Sequence, residues 1–284
     1  MTKSFKAALI QVTAGADPLK NASANRSYAD EAASAGAVFV MFPEVCNMIE
    51  PDRDACREKA KPVLEDDTVR NLQDSAREHA IWILVGSVVV QSDVTPGKLA
   101  NRSVLINDQG AIVATYDKMH LFDVDVGSAD VYRESDTYQA GAGLTLASTP
   151  WGPLGMTVCY DLRFPHMYRD LAKAGALMMT VPSAFTRPTG EAHWHALLRA
   201  RAIETGAFVF APAQTGEHSG GRKTYGHSIA IDPWGEVLAD GGLDTGVTCI
   251  DINPAESISA RVRIPALKHD RSYKIDVINS PDTA

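Results

Sequence analysis

The chain of 284 residues is 45% hydrophobic and 22% charged, and its formal net charge is −8. An acidic chain without a run of Lys or Arg does not fit a partner that is nucleic acid or an anionic membrane surface. It also lacks the run of about 18 apolar residues that a membrane-spanning helix needs. We therefore expect a cytoplasmic globular protein with a large core that acts on a small molecule and binds neither nucleic acid nor membrane.

Strand-like and helix-like segments alternate along the chain, which predicts βαβ units. The first unit consists of KAALIQVT, the helical segment NASANRSYADEAASAGA and the apolar segment VFVMFPE. Three further helix–strand pairs follow, TVRNLQDSAREHA with IWILVGSVVV, HMYRDLAKAGA with LMMTVPSAF, and EAHWHALLRARAIETGA with FVFAPAQ.

Hairpins lie between these units, because strand-like runs flank polar turns that contain glycine. They are RSVLINDQGAIVATYDK, LTLASTPWGPLGMTVCY and GHSIAIDPWGEVLAD, whereas TGEHSGGRK at 215–223 reads as a surface loop. We predict mixed sheets in one α/β domain spanning 1–284, with a core of about 4–255 and a C-terminal extension of about 256–284. The order of units and hairpins indicates two similar halves.

Three reactive side chains each close a predicted strand. Glu44 ends VFVMFPE, Lys118 follows IVATYD, and Cys159 follows GMTV. In α/β folds the carboxyl ends of strands form the crevice that binds ligands, so these residues predict a common site. Each also has an ordinary explanation, since Glu44 could be a loop acid, Lys118 a solvated lysine and Cys159 a buried core thiol.

Other catalytic and binding motifs do not fit. GHSIA places Ser228 inside an alternating strand, whereas a nucleophile elbow needs a strand-to-helix turn. His193 and His195 cannot chelate one metal ion together, because residues two apart on a helix point about 200° away from each other. The Gly-rich segment SGGRK lacks the ending of a phosphate loop. We predict that the reaction needs no metal and no organic cofactor.

Four separate motifs resemble those of the carbon-nitrogen hydrolase (nitrilase) superfamily. They are FPEVCN around Glu44, YDKMHLFDVDV around Lys118, RES at Glu134 and GMTVCYDLRFP around Cys159. The segment PSAFTRPTGEAHWHALLRARAIET is similar to the Nit branch, whose members hydrolyse deaminated glutathione or related ω-amides. The resemblance implies a four-layer αββα sandwich in which two mixed sheets are flanked by helices, a Glu-Lys-Cys triad, and dimers.

This resemblance assigns each residue an expected role in amide hydrolysis. Cys159 attacks the carbonyl, and Glu44 carries protons in both directions, which requires a pKa raised towards neutrality. The Lys118 cation and the backbone N–H of Tyr160 bind the oxyanion, and the cation also favours the thiolate. Glu134 resembles the family's second glutamate, which positions the lysine and the substrate.

The expected substrate is a small ω-amide with a carboxylate, and deaminated glutathione is the leading candidate. Arg163 follows the nucleophile closely and is predicted to hold the carboxylate through two parallel hydrogen bonds. Its alternative role is a salt bridge with Asp161 or another nearby acid. Thr189 adds a hydroxyl at a helix N-terminus, Phe185 an apolar wall, and Arg187 a further basic group.

Three alternatives remain open at this stage. A nitrilase or an N-carbamoyl amino acid amidohydrolase would use the same triad, and a non-catalytic metabolite-binding protein could keep the fold. The resemblance also implies a homodimer or higher homo-oligomer, in which the helix at 167–174 packs across the interface.

Overall fold

The computed structural model describes residues 3–125 and 131–278, and its main feature is a pair of six-stranded sheets. The strands are β1 Phe5–Gln11, β2 Phe39–Met41, β3 Trp82–Gln91, β4 Leu99–Ile106, β5 Ile112–Asp117, β6 Asp123–Asp125, β7 Val131–Arg133, β8 Thr145–Thr149, β9 Gly152–Met156, β10 Met178–Thr180, β11 Phe208–Ala211, β12 Thr215–Glu217, β13 Lys223–Tyr225, β14 Ile229–Ile231, β15 Val237–Asp240 and β16 Gly246–Ile252.

The two large sheets have the same succession of strand directions. The first has the order β16-β1-β2-β3-β4-β5, and the second has the order β8-β9-β10-β11-β14-β15. In each sheet the first pair is antiparallel, the next two pairs are parallel, and the last two are antiparallel. The predicted similarity of the two halves is therefore present in the topology of the sheets.

Helices cover the outer face of each sheet. The described helices are α1 Pro18–Ser34, α2 Arg53–Lys59, α3 Asp67–His79, α4 Pro165–Lys173, α5 Arg187–Thr205 and α6 Ala255–Arg263, of which α1 and α3 pack on the first sheet and α4 and α5 on the second. Ala29 of α1 and Leu72 of α3 share a buried cluster with Ile10 of β1. On the opposite side of the molecule, Leu171 of α4 lies directly over Gly155 of β9.

The inner faces of the two sheets pack against each other. Leu9, next to Ile10 in the chain, belongs to the cluster that includes Met156 and Phe210 of the second sheet. Because successive strand residues point to opposite faces, β1 contacts its helices on one side and the second sheet on the other. The architecture is the predicted four-layer αββα sandwich.

The predicted units and hairpins are present, but several elements were not predicted. They are α2, α6, the β6–β7 pair, the β12–β13 hairpin and the edge strand β16. The segment 215–223 is not a plain surface loop, because Thr215–Glu217 pairs with Lys223–Tyr225. Within the described residues, no helix combines the length and the apolar character needed to cross a membrane. The division into a core and a C-terminal extension stays a prediction.

Candidate active site

The three residues predicted from the strand ends lie together at one edge of the sandwich. Glu44 lies in the turn after β2, Lys118 directly follows β5, and Cys159 begins a 3-10 turn after β9. All three are buried, with 4%, 2% and 7% exposure respectively. We call Glu44, Lys118 and Cys159 the triad.

Lys118 is held between two carboxylates. Its Nζ lies 2.9 Å from Oε1 of Glu44 and 3.1 and 2.9 Å from the two oxygens of Glu134. The other oxygen of Glu44 accepts the backbone N–H of Ala184 at 2.8 Å. The Cys159 thiol lies close enough to the Glu44 carboxylate for each to shift the pKa of the other, so acid and nucleophile are neighbours.

The turns that carry the triad have unusual backbone geometry. Cys159 and the neighbour of Glu44, Val45, both adopt a left-handed conformation, with φ of 50° and 48°. For such residues this conformation is uncommon, and strain of this kind concentrates at functional sites. A Cβ on Gly86 of β3 would lie 1.8 Å from the carbonyl oxygen of Phe42, so only glycine allows the turn to pass this closely.

A buried aspartate fixes the turn of the nucleophile. Asp161 accepts hydrogen bonds from the Tyr116 hydroxyl at 2.7 Å, from the Val158 N–H at 2.9 Å and from the His120 N–H at 3.1 Å. It thereby ties the start of the Cys159 turn to the segment around Lys118. The predicted alternative of an Arg163–Asp161 salt bridge is absent among the described contacts.

The charges in the site differ from those expected. Burial alone raises the pKa of Glu44, but the Lys118 cation, the hydrogen bond with Cys159 and the charge of Arg222 together bring it below its ordinary value. Burial and the adjacent Glu44 raise the pKa of the Cys159 thiol, against the effect of Lys118. The lowered pKa of Glu44 contradicts the predicted rise towards neutrality, whereas Lys118 favours the thiolate as predicted but is outweighed by burial and by Glu44.

Lys118 keeps its positive charge. Burial by itself lowers its pKa, but Glu134, Glu44 and Cys159 raise it well above the ordinary value. The resting site thus combines an ionised carboxylate, an ammonium group and a neutral thiol. This arrangement can move the thiol proton to Glu44 while sulfur attacks a carbonyl carbon, and the ammonium can stabilise the oxygen that becomes negative.

A cavity of about 740 Å³ opens above the triad. This volume lies within the roughly 300–1,000 Å³ typical of small-molecule sites. Tyr160, Phe185, Thr189 and Arg187 line it, and their roles in substrate binding stay predictions. The Thr189 hydroxyl hydrogen-bonds that of Thr186 at 2.8 Å.

Arg163 takes a different position from the one predicted. It is not among the described residues that line this cavity. One guanidinium nitrogen lies 3.2 Å from Nδ1 of His193, and the group lies over the rings of Tyr160 and Phe185, 5.9 and 5.7 Å from their centroids. Arg163 therefore packs against two residues that line the cavity.

Sequence reasoning missed three groups in or beside the site. Asn101 of β4 donates to Glu44 at 2.9 Å and to Glu134 at 3.3 Å. A polar residue in the middle of a buried strand was the signal that could have found it. Arg222, from the supposed surface loop, lines the cavity and donates to the Ala184 carbonyl at 2.7 Å. The Ala184 amide left no signal in the sequence, because a backbone donor can belong to any residue type.

The αββα sandwich with a buried Glu-Lys-Cys site defines a class of cysteine-dependent hydrolases that act on C–N bonds. A family model described as carbon-nitrogen hydrolase matches residues 6–262. The chain belongs to this family, so its activity is that of an amidase acting on C–N bonds.

Individual relatives agree with this assignment. The chain is 38% identical over 270 residues to a deaminated glutathione amidase from Yersinia enterocolitica, covering 95% of this chain and 94% of the relative. It superimposes on the C. elegans NitFhit crystal structure with a TM-score of 0.88 and 33% identity, covering 95% of this chain and 66% of that one. An amidase from Nesterenkonia sp. AN1, with the acetamide moiety of fluoroacetamide covalently bound to its active-site cysteine, gives a TM-score of 0.75 and 25% identity, covering 90% and 92%.

Proposed function

We propose that this enzyme hydrolyses a small ω-amide whose acyl part carries a carboxylate, with deaminated glutathione as the leading substrate. The name of the Yersinia relative supports this choice. Glutathione without its amino group keeps two carboxylates and the amide at its former γ-carbon. Such a substrate needs a nucleophile at the base of the cavity and cationic groups further along its walls.

In the proposed mechanism, Glu44 takes the proton of the Cys159 thiol as sulfur attacks the amide carbon. The oxyanion is held by Nζ of Lys118 and by the N–H of Tyr160, which lies in the first turn of the 3-10 segment, where amides have no partner within the helix. Glu44 then donates its proton to the leaving nitrogen, the C–N bond breaks, and a thioester remains. A water molecule, deprotonated by Glu44, cleaves the thioester and restores the thiol.

The position of Arg222 in the cavity is the main support for a substrate that carries a carboxylate. It lines the cavity, and its charge acts on Glu44. Among the other cavity arginines, Arg53 pairs with Asp136 and Arg187 with Glu191, whereas the exposed Arg133 guanidinium donates to the Tyr132 carbonyl. Arg222 forms no ion pair with any described residue, and its Nε is buried without a hydrogen-bond partner. A half-buried guanidinium whose Nε lacks a hydrogen-bond partner can accept a substrate carboxylate, which makes such a group its natural partner.

The test compares two amides of equal chain length, succinamate and butyramide, in wild type and in Arg222→Gln. We expect the variant to raise KM for succinamate at least tenfold and to leave kcat/KM for butyramide within a few-fold, because only succinamate carries the anion. Arg222→Lys should recover only part of the loss, since an ammonium cannot reproduce the planar fork.

Arg187→Gln is the matched control, because Arg187 lies at the same cavity but already pairs with Glu191 at 2.9 Å. Equal losses on both amides in Arg222→Gln would assign Arg222 a structural role. Deaminated glutathione, a nitrile and an N-carbamoyl amino acid complete the substrate panel. Faster turnover of the last two would replace the ω-amide assignment.

We also propose that the protein acts as a homodimer or larger homo-oligomer in the cytoplasm. Large apolar side chains remain exposed on α5 and α6, among them Ile203, Ile258 and Val262 at 55%, 49% and 76%. Such surfaces mark protein contacts when they are contiguous. The cysteines are free, as suits a reducing compartment. A monomeric mass by light scattering at micromolar concentration would contradict the assembly.

A further inference from the structure

Two histidines and one aspartate from three separate segments of the chain meet beside α5. Nε2 of His195 on α5 lies 3.0 Å from Oδ2 of Asp240, the last residue of β15. Nδ1 of His227, in the segment before β14, lies 2.9 Å from Oδ1 of the same carboxylate. The three ligand atoms all lie within 4.8 Å of one another. We call these residues the His2Asp cluster.

The cluster is built on a fixed backbone. His227 has a left-handed φ of 57°, which is uncommon for a side chain of this size. Its N–H donates to the Gly242 carbonyl at 2.7 Å, and its carbonyl accepts the indole N–H of Trp194 at 2.9 Å. The Gly242 N–H in turn donates to Asp240 at 2.9 Å. The imidazole and the carboxylate are therefore oriented before any ligand arrives.

An aromatic ring limits how the two imidazoles can move. Tyr225 stacks on His227, with centroids 4.5 Å apart, and meets His195 edge to face at 6.0 Å. The side chains of His195, His227 and Asp240 are 37%, 23% and 30% exposed. Tyr225 thus packs against the two imidazoles, while the partly exposed side chains leave the cluster accessible to a small ion from the solvent.

We propose that the His2Asp cluster binds a divalent transition-metal ion, with zinc as the best match. Two imidazole nitrogens and one carboxylate oxygen are ligands that zinc accepts, and three protein ligands leave the fourth position for water. Bonds of about 2.0–2.1 Å in a tetrahedron place neighbouring ligand atoms roughly 3.3 Å apart. Each imidazole nitrogen already lies 2.9–3.0 Å from a carboxylate oxygen and all three atoms lie within 4.8 Å, so a bound ion would draw the two imidazoles together. Each neutral imidazole binds through the ring nitrogen that faces Asp240 and carries its proton on the other nitrogen.

The site is separate from the amidase chemistry. None of the three residues is among those described as lining the catalytic cavity. His193, two positions before His195, points elsewhere and contacts Arg163, as the helical geometry predicts. A bound ion would link α5 to β14 and β15. Because α5 begins at the cavity wall with Arg187, the ion would stabilise this wall without contacting the substrate.

The test measures zinc binding to untagged protein that has been stripped with a chelator and then titrated with zinc chloride by calorimetry. We expect one zinc ion per chain in wild type and a rise in the melting temperature on loading. His195→Gln and Asp240→Asn should each weaken binding at least tenfold, because either change removes a ligand while keeping the size of the side chain. His193→Gln is the matched control on the same helix and should bind as wild type does.

Titration with cobalt chloride distinguishes the cluster from a thiol ligand by its absorption spectrum. This control is needed because thiols compete for these metals and Cys249 is exposed. We expect visible d–d bands without a thiolate-to-cobalt charge-transfer band. Absence of binding at micromolar zinc would show that the cluster is only a hydrogen-bonded trio and would overturn the proposal. Equal binding by His193→Gln, His195→Gln and Asp240→Asn, or a thiolate band, would also overturn it by placing the metal elsewhere.

Discussion

Replacement of Glu134 by glutamine tests whether this carboxylate holds Lys118 in place. Among the described residues, each hydrogen-bond partner of the Glu134 carboxylate is a donor. Lys118 Nζ contacts both oxygens, Asn101 Nδ2 donates to Oε1 at 3.3 Å, and the Phe122 N–H donates to Oε2 at 2.6 Å. Glutamine has the same shape, but its NH2 group must face one of these donors. The variant therefore loses a negative charge and gains a donor–donor conflict.

The magnitude follows from the contacts that are lost. A hydrogen bond to a charged group contributes about 1.5–3 kcal/mol, and breaking a buried ion pair costs about 3–5 kcal/mol. Lys118 keeps its ion pair with Glu44, and the Glu134 side chain is 14% exposed, so the cost of losing the Glu134 charge lies toward the lower end of these two ranges. We expect a loss of about 2–3 kcal/mol in the free energy of unfolding. If Lys118 moves away from the oxyanion, kcat falls about 100- to 1,000-fold.

The assay combines urea unfolding with steady-state turnover of succinamate. Glu191→Gln is the matched control, since Glu191 also lines the cavity but is an exposed partner of Arg187. This control should change stability by less than about 1 kcal/mol. The reasoning is refuted if Glu134→Gln keeps more than a tenth of the wild-type kcat with unchanged stability, because Lys118 would then be positioned without Glu134.

Three further predictions concern the triad, its pH dependence and its backbone. The triad variants are Cys159→Ala, Glu44→Gln and Lys118→Ala. Each should abolish turnover while leaving the circular dichroism spectrum intact, and double variants should be little worse, because the three groups act as one unit. A tenth of wild-type activity in Cys159→Ala would disprove the thioester route. Burial raises the pKa of Glu44, but neighbouring charges and the thiol hydrogen bond bring it below 4.5, so kcat/KM should fall only as pH drops through that lowered pKa. With butyramide as the substrate, Arg222→Gln should shift this acidic fall in kcat/KM to higher pH. A fall near neutral pH in the wild type would contradict the lowered pKa of Glu44. Gly86→Ala should lower kcat about 10- to 100-fold by displacing the turn of Glu44. Gly143→Ala is the control and should leave kcat unchanged, because its Cβ would meet nothing within 4 Å. Equal losses of kcat in both variants would show that displacement of the Glu44 turn is not the cause.

Local sequence patterns predicted mixed sheets and three reactive residues at strand ends, whereas the four layers and the triad were implied by the resemblance to the carbon-nitrogen hydrolase superfamily. Glu44, Lys118 and Cys159 were predicted from the ends of apolar runs, and such signals are local because a strand's pattern and its terminating polar residue are adjacent in the chain. The hairpins β4–β5 and β8–β9 were predicted for the same reason, since the turn and both strands lie within a few residues. Short or partly exposed elements such as β12, β13 and β16 carry too few alternating residues to be recognised.

Only the tertiary structure decided the charges of the site and the surroundings of each side chain. The direction of the Glu44 pKa depends on a balance between burial and the charges of Lys118 and Arg222, and these residues are far apart in sequence. The separation of Arg163 from the cavity, and the entry of Arg222 into it, depend on which way each side chain turns after its backbone element has packed. His195 and His227 approach one carboxylate because α5 packs beside β14 and β15, a contact that helix periodicity alone cannot reveal.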